Sequence, residues 1–294
     1  MQRRYETIEG TAITVDDYGG TGRPIVLVHG LGGASSNWSL VGPQLAEIGS
    51  TVAFDLPGHG RAGPVPRHDL ESHVRTTIAV IERQGVESVT LVGCSMGGLV
   101  AEIVAAQRPD LVDALILLAP ATPPPTLVMP KNPKVAARLA VQSIPGIGPL
   151  ATAALTSRLT PKRQVEMTLG IVMQHPELLP TDAFERSVEL ARLRRTMPWA
   201  GRAFSESVAS VLRLLIRRPT YLAILEQIEA PTTLIFGSED QVVVPVGLRW
   251  LAERQSAWRS IELADAGHTP MLERPDIVVR EIERLINRCA PALG

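Results

Sequence analysis

The sequence predicts an α/β fold, a doubly wound and mostly parallel sheet of eight strands with helices on both faces. Three observations carry this. Short, continuously apolar runs recur along the chain, helical patterns separate them, and a polar–apolar alternation confined to the first twenty residues marks an antiparallel start. Continuous apolar runs suit strands buried on both faces, and strands alternating with helices argue for right-handed crossovers that place helices above and below a parallel sheet.

In chain order, residues 5–8 and 11–18 read as a hairpin, followed by glycines at 19, 20 and 22. Parallel strands follow at 24–28, 51–54, 89–92, 114–118 and 233–236, with a weaker one at 260–263. Helices fall between them at 38–48, 70–84, 96–108, 246–255 and 275–288. The last repeats apolar residues at Ile277, Val278, Ile282, Leu285 and Ile286.

The alternation fails between Pro120 and about Pro219. Prolines at 120, 123, 124, 125, 130 and 133 lead into helix-like segments with no convincing strand. The chain is therefore expected to comprise a core domain of residues 1–120 and 221–294 and a mainly helical cap of residues 121–220, inserted after the sixth strand. The cap holds 14 Lys or Arg against 6 Asp or Glu, so a basic lid sits on an acidic body. Lysine occurs only at 131, 134 and 162, and the other basic residues are arginine.

At 294 residues, 45% hydrophobic and 20% charged, the composition is that of a soluble globular enzyme. A net charge of −1 gives no global attraction to nucleic acid or an anionic membrane. No apolar stretch approaches the roughly 20 residues that cross a bilayer. The opening MQRRYETIEG lacks the layout of a secretory signal, so a cytoplasmic location is expected. Cys94 and Cys289 form neither a disulfide framework nor a metal-ligand spacing, which fits a reducing compartment.

The candidate chemistry centres on Gly93-Cys94-Ser95-Met96-Gly97, a G-x-S-x-G pattern after a predicted strand and before a predicted helix. In that context the sharp turn exposes the serine hydroxyl, and side chains at 93 or 97 would collide with neighbouring elements. Cys94 is read as a buried packing residue. Serine needs a base, itself oriented by a carboxylate. Among the histidines at 29, 59, 68, 73, 175 and 268, His268 lies on the loop between the last strand and the last helix. Asp240, in Gly237-Ser238-Glu239-Asp240, leaves the preceding strand at the same sheet edge and is chosen over Glu239. The order Ser95, Asp240, His268 suits this geometry.

These motifs resemble the α/β-hydrolase family, in its capped lipase, esterase and haloperoxidase-like branch. The likeness runs from about Pro24 to Arg288, the cap excepted, through His29-Gly30-Leu31-Gly32-Gly33, Asp55-Leu56-Pro57-Gly58-His59-Gly60, the serine turn, Gly237 to Asp240 with Pro245, and Gly267-His268 with Glu273-Arg274-Pro275. The resemblance implies that fold, an oxyanion hole from the backbone N–H groups of Leu31 and Met96, and no metal or organic cofactor. Gly30 and Gly32 would let their loop approach substrate. Trp38 would either line an acyl pocket or anchor the segment after the loop, and His29 and His59 are read as structural.

The expected reaction is hydrolysis of a carboxylic ester with a hydrophobic acyl group, through an acyl-enzyme on Ser95. A serine rather than an aspartate at the turn argues against haloalkane dehalogenase and epoxide hydrolase chemistry. The alternatives are a carbon–carbon bond hydrolase, disfavoured by Thr269 where such enzymes carry tryptophan, a thioesterase or lipase whose basic cap docks on an acyl carrier or an anionic membrane, and a ligand-binding protein. For the cap arginines the alternative to contact with an anionic part of the substrate is a solvated outer face.

Overall fold

The computed structural model describes residues 1–125 and 132–289. Pro130 and Lys131, at the expected entry to the cap, and residues 290–294 lie outside the described residues.

Eight strands form one sheet: β1 (Gln2–Ile8), β2 (Thr11–Gly19), β3 (Pro24–Val28), β4 (Ser50–Phe54), β5 (Val89–Cys94), β6 (Val112–Leu118), β7 (Thr232–Gly237) and β8 (Arg259–Leu263). Their order is β1-β2-β4-β3-β5-β6-β7-β8. The first hairpin and its junction with β4 are antiparallel, and the other neighbours are parallel. The chain thus reverses its direction of travel across the sheet after β4, and the parallel strands share one carboxyl edge, where ligands of open α/β sheets bind.

Helices α1 (Gly42–Leu45), α2 (Leu70–Glu82) and α3 (Met96–Gln107) precede β6. Between β6 and β7 the described residues form six α-helices: α4 (Pro133–Gln142), α5 (Ile147–Ser157), α6 (Pro161–Val172), α7 (Thr181–Arg194), α8 (Ala200–Ile216) and α9 (Arg218–Leu225). Helices α10 (Pro245–Arg254), α11 (Pro270–Glu273) and α12 (Pro275–Cys289) complete the chain. The expected helix over 38–48 is instead a 3₁₀ turn at Ser35–Trp38 followed by the single turn of α1. Pro43 supplies no N–H to carry a helix through from Trp38 and instead sits in the first turn of a new one.

Strand residues alternate between two cores, as a pleated strand buried on both faces requires. Val26 and Val28 face α2, α3, α9 and α10, whereas Ile25 and Leu27 face α1 and α12. Trp38 is fully buried in the second core with Val41 and Leu45. The excursion between β6 and β7 has its own apolar cluster, in which Val165, Leu169 and Met173 meet Ala183, Val188 and Ala191, resting on Leu40 and Leu272. Helix α9 straddles the expected domain boundary at 220/221, with Tyr221 and Leu225 buried in the first core.

Several basic side chains of the excursion also contact the sheet domain. Arg186 donates to Ser39 Oγ at 3.2 Å, Arg194 to Gly33 O at 2.6 Å and Arg202 to Pro66 O. Arg218 donates to Pro125 O at 2.6 Å while its guanidinium stacks 4.5 Å over the Trp250 ring. Among the described residues no helix is long and apolar enough to cross a membrane.

Candidate active site

Ser95 occupies the turn between β5 and α3 with φ 57° and ψ −119°, a conformation that costs an L-residue roughly 1–3 kcal/mol. The surroundings hold it there. Its N–H donates to Leu118 O at 2.9 Å, continuing the ladder to β6, and its carbonyl accepts from Leu99 N and Ala121 N, both at 3.1 Å. A Cβ on Gly93 would lie 2.3 Å from Gly97 O, and one on Gly97 2.3 Å from Val28 O. Neither position accepts a side chain, so the two glycines permit the turn. Ser95 is half-buried between the buried Cys94 and Met96. The Cys94 thiol is pushed well above its ordinary range by burial and then by the charge of Asp240, leaving it a poor nucleophile.

Asp240 follows β7 and His268 follows β8, so both lie on the carboxyl edge that carries Ser95. His268 Nδ1 lies 2.7 Å from Asp240 Oδ2, with the aspartate fully buried and the histidine 5% exposed. The other aspartate oxygen, Oδ1, accepts from Val242 N at 2.7 Å and Val243 N at 2.9 Å. A carboxylate only accepts, so Nδ1 carries the proton and Nε2 is left as the basic nitrogen. Glu239 is instead occupied with Ser238 Oγ, at 3.2 Å.

The loop bearing His268 is braced by the helical excursion. His268 N donates to Val172 O at 2.8 Å, and Thr269 Oγ1 donates to the same carbonyl at 3.2 Å. Glu273 accepts from Gly267 N at 3.0 Å and from Gln174 N at 2.8 Å, tying the loop to the residues after α6.

The loop after β3 brings Gly30 against Ser95, since a Cβ on Gly30 would stand 3.0 Å from Ser95 Cβ. Gly30 O accepts from His29 Nδ1 at 2.7 Å and from Gly33 N at 2.9 Å. The peptide is trans, so fixing this carbonyl aims the Leu31 N–H the opposite way. The same logic applies to Ser95 O, whose two donors orient the Met96 N–H. His29 is set in turn by Leu56 N, which donates to its Nε2 at 3.0 Å, and burial lowers its pKa and favours this neutral form. Gly32 lies beneath the Phe204 ring of α8, with 3.2 Å between that ring and a Cβ built on the glycine.

Each expected site residue is therefore placed. Asp240 and His268 touch each other, Gly30 touches Ser95, Leu31 and Met96 lie on oriented peptides, and Trp38 is packed in the core, a position that favours anchoring over pocket lining. Sequence reading did not single out Arg194, whose run Arg192-Leu193-Arg194-Arg195 looks like a solvated face. A cavity of 410 Å³, lined by Arg67, His68, Pro145, Ser205 and Arg213, lies between α8 and the α4–α5 turn and includes none of these site residues. Among the described residues no three His, Cys, Asp or Glu side chains are grouped as a metal site.

Comparison with known proteins agrees with the fold. A family model described as "Alpha/beta hydrolase family" matches residues 25–281. The chain is 30% identical over 253 residues to the pimeloyl-[acyl-carrier protein] methyl ester esterase of Klebsiella pneumoniae, covering 85% of this chain and 88% of that one. It is also 30% identical over 291 residues to an uncharacterized protein of Mycobacterium tuberculosis, covering 93% and 78%. The crystal structure of Cfl2 from Burkholderia cenocepacia superposes with a TM-score of 0.80 at 23% identity, covering 96% of this chain and 94% of that one. The family match over most of the chain, together with the serine turn and sheet order, shows that this protein belongs to the alpha/beta hydrolase family.

Proposed function

We propose that the protein is a serine hydrolase that cleaves a carboxylic ester of a hydrophobic acyl substrate through an acyl-enzyme. The observation that carries this reading is the buried pair of Asp240 and His268, with the other aspartate oxygen held by two backbone N–H groups, on the sheet edge that holds Ser95 in a strained turn. Ser95 Oγ attacks the ester carbonyl and gives its proton to His268 Nε2. The resulting imidazolium is stabilised by Asp240, and the oxyanion by the N–H groups of Leu31 and Met96. His268 then protonates the leaving alcohol, and water attacks the acyl-enzyme by the same route in reverse.

Residues 121–220 act as a cap over this edge, a role supported by the contacts of Val172 with the His268 loop and of Phe204 with Gly32. The ester esterase among the relatives supports ester chemistry over carbon–carbon cleavage. Two unpaired cysteines support a reducing, cytoplasmic location.

Hydrolysis of chromogenic esters of increasing acyl length tests this reading. Turnover is expected to fall by about 10⁴–10⁶ in Ser95→Ala. Turnover that survives the substitution overturns it.

A further inference from the structure

Two guanidinium groups at the rim of the oxyanion loop have donor capacity that the protein does not use. Arg194, at the end of α7, donates Nη2 to Gly33 O at 2.6 Å. Among the described residues no carboxylate oxygen comes within ion-pair distance of it. Its side chain is half-buried, and burial lowers its pKa to about 10. Arg61, in the loop after β4, places Nη2 3.6 Å from the exposed Glu189 Oε1, while its Nη1 is buried with no partner. Glu189 and Arg194 both belong to α7, so both guanidiniums lie against the C-terminal half of that helix.

Asp55 is the carboxylate whose charge favours the Arg194 cation, but its oxygens are already engaged. Oδ1 accepts from Ser35 N and Oδ2 from Arg61 N, each at 2.7 Å. Among the described residues Arg61 has only the exposed Glu189 at ion-pair distance, with Nη1 buried and unpartnered, and Arg194 has no carboxylate at that distance, so their spare donors point to an anion brought by a ligand. The position identifies which part of the ligand carries it. Gly33 N closes a turn onto Gly30 O, and Gly30 abuts Ser95, so Arg194 is anchored one turn of chain from the residue that touches Ser95.

We propose that Arg194 and Arg61 bind a carboxylate on the acyl part of the substrate, a few bonds from the scissile carbonyl, so that half-esters of dicarboxylic acids are the preferred class. The planar fork of a guanidinium matches a carboxylate in shape as well as charge. The proposal rests on the serine-hydrolase reading above and adds a specificity site to it.

The test compares matched aryl esters, butyrate against the glutarate and succinate half-esters, in the native protein, Arg194→Gln and Arg194→Lys. The ratio of kcat/KM for anionic over neutral ester is expected to fall about tenfold or more in Arg194→Gln, mostly through KM, with part recovered in Arg194→Lys. Calorimetric binding of free glutarate to Ser95→Ala, lost when Arg194→Gln is added, checks the site without turnover. That binding supports the anion site even if no ester is hydrolysed, which separates its fate from that of the catalytic reading. An unchanged ratio, or no glutarate binding to Ser95→Ala, overturns the proposal and leaves Arg194 as a clamp on Gly33.

Discussion

Ser207 Oγ, on α8, accepts a hydrogen bond from His59 Nε2 at 3.1 Å, joining the helical excursion to the loop after β4. The hydroxyl donates its single hydrogen to His68 O at 3.0 Å, so it also accepts from His73 Nε2 at 2.9 Å. Both rings are neutral and buried, and His73 Nδ1 has no partner. Burial moves the pKa of His73 to about 3 and that of His59 well below its ordinary value.

Acid should therefore destabilise the protein through this cluster. The unfolded chain binds protons at these histidines below about pH 6.5 while the folded chain does not, so stability is full above that pH and falls as pH drops towards about 3. His73→Gln keeps an N–H donor and removes the titration. Urea melts across this range should show a pH slope smaller by about 1.4 kcal/mol per unit in the variant. Equal slopes would mean that His73 is already protonated in the fold.

The choice of acid is tested by the neighbouring pair Glu239 and Asp240. Asp240→Asn keeps the shape but puts the wrong proton pattern opposite His268 Nδ1, so kcat should fall by about 10⁴. Glu239→Gln changes a side chain that bonds Ser238 and should stay within about threefold of native activity. Similar losses in the two variants would contradict the assignment.

His29 fixes the Gly30 carbonyl and with it the Gly30–Leu31 peptide, whose N–H the proposed mechanism uses. His29→Ala removes one of the two donors to Gly30 O, and kcat should fall by about 10–100-fold with KM little changed, less than the loss of a whole oxyanion donor. A change confined to KM would show that the loop positions ground-state substrate instead.

Cys94 should be inert. Iodoacetamide at mildly alkaline pH is expected to leave ester turnover intact, because the thiol is buried and held protonated. Inactivation traced to Cys94 would mean that the turn opens far more than the structure indicates.

The sheet was legible in the sequence because strands such as β3, β5 and β6 are apolar on both faces and bounded by glycine or proline. Helices α2, α3, α10 and α12 were legible for a similar reason, their start signals and periodicity being local. The broken segment around α1 was misread because its apolar spacing is helical while Pro43 interrupts the backbone ladder. At the candidate site, Ser95 was legible because its turn demands glycines two residues away on either side, and Asp240 and His268 because each follows a recognisable strand. The contacts of Ser207, Arg194 and Arg61 were not, since each joins residues more than a hundred positions apart in sequence, and a lone serine or arginine has a solvated reading by default.

The most direct measurement is covalent labelling with a fluorophosphonate, followed by peptide mass mapping. The account predicts one adduct, on Ser95, absent in Ser95→Ala and formed much more slowly in His268→Ala. An adduct on another residue, or labelling of Ser95 at the same rate without His268, would contradict it.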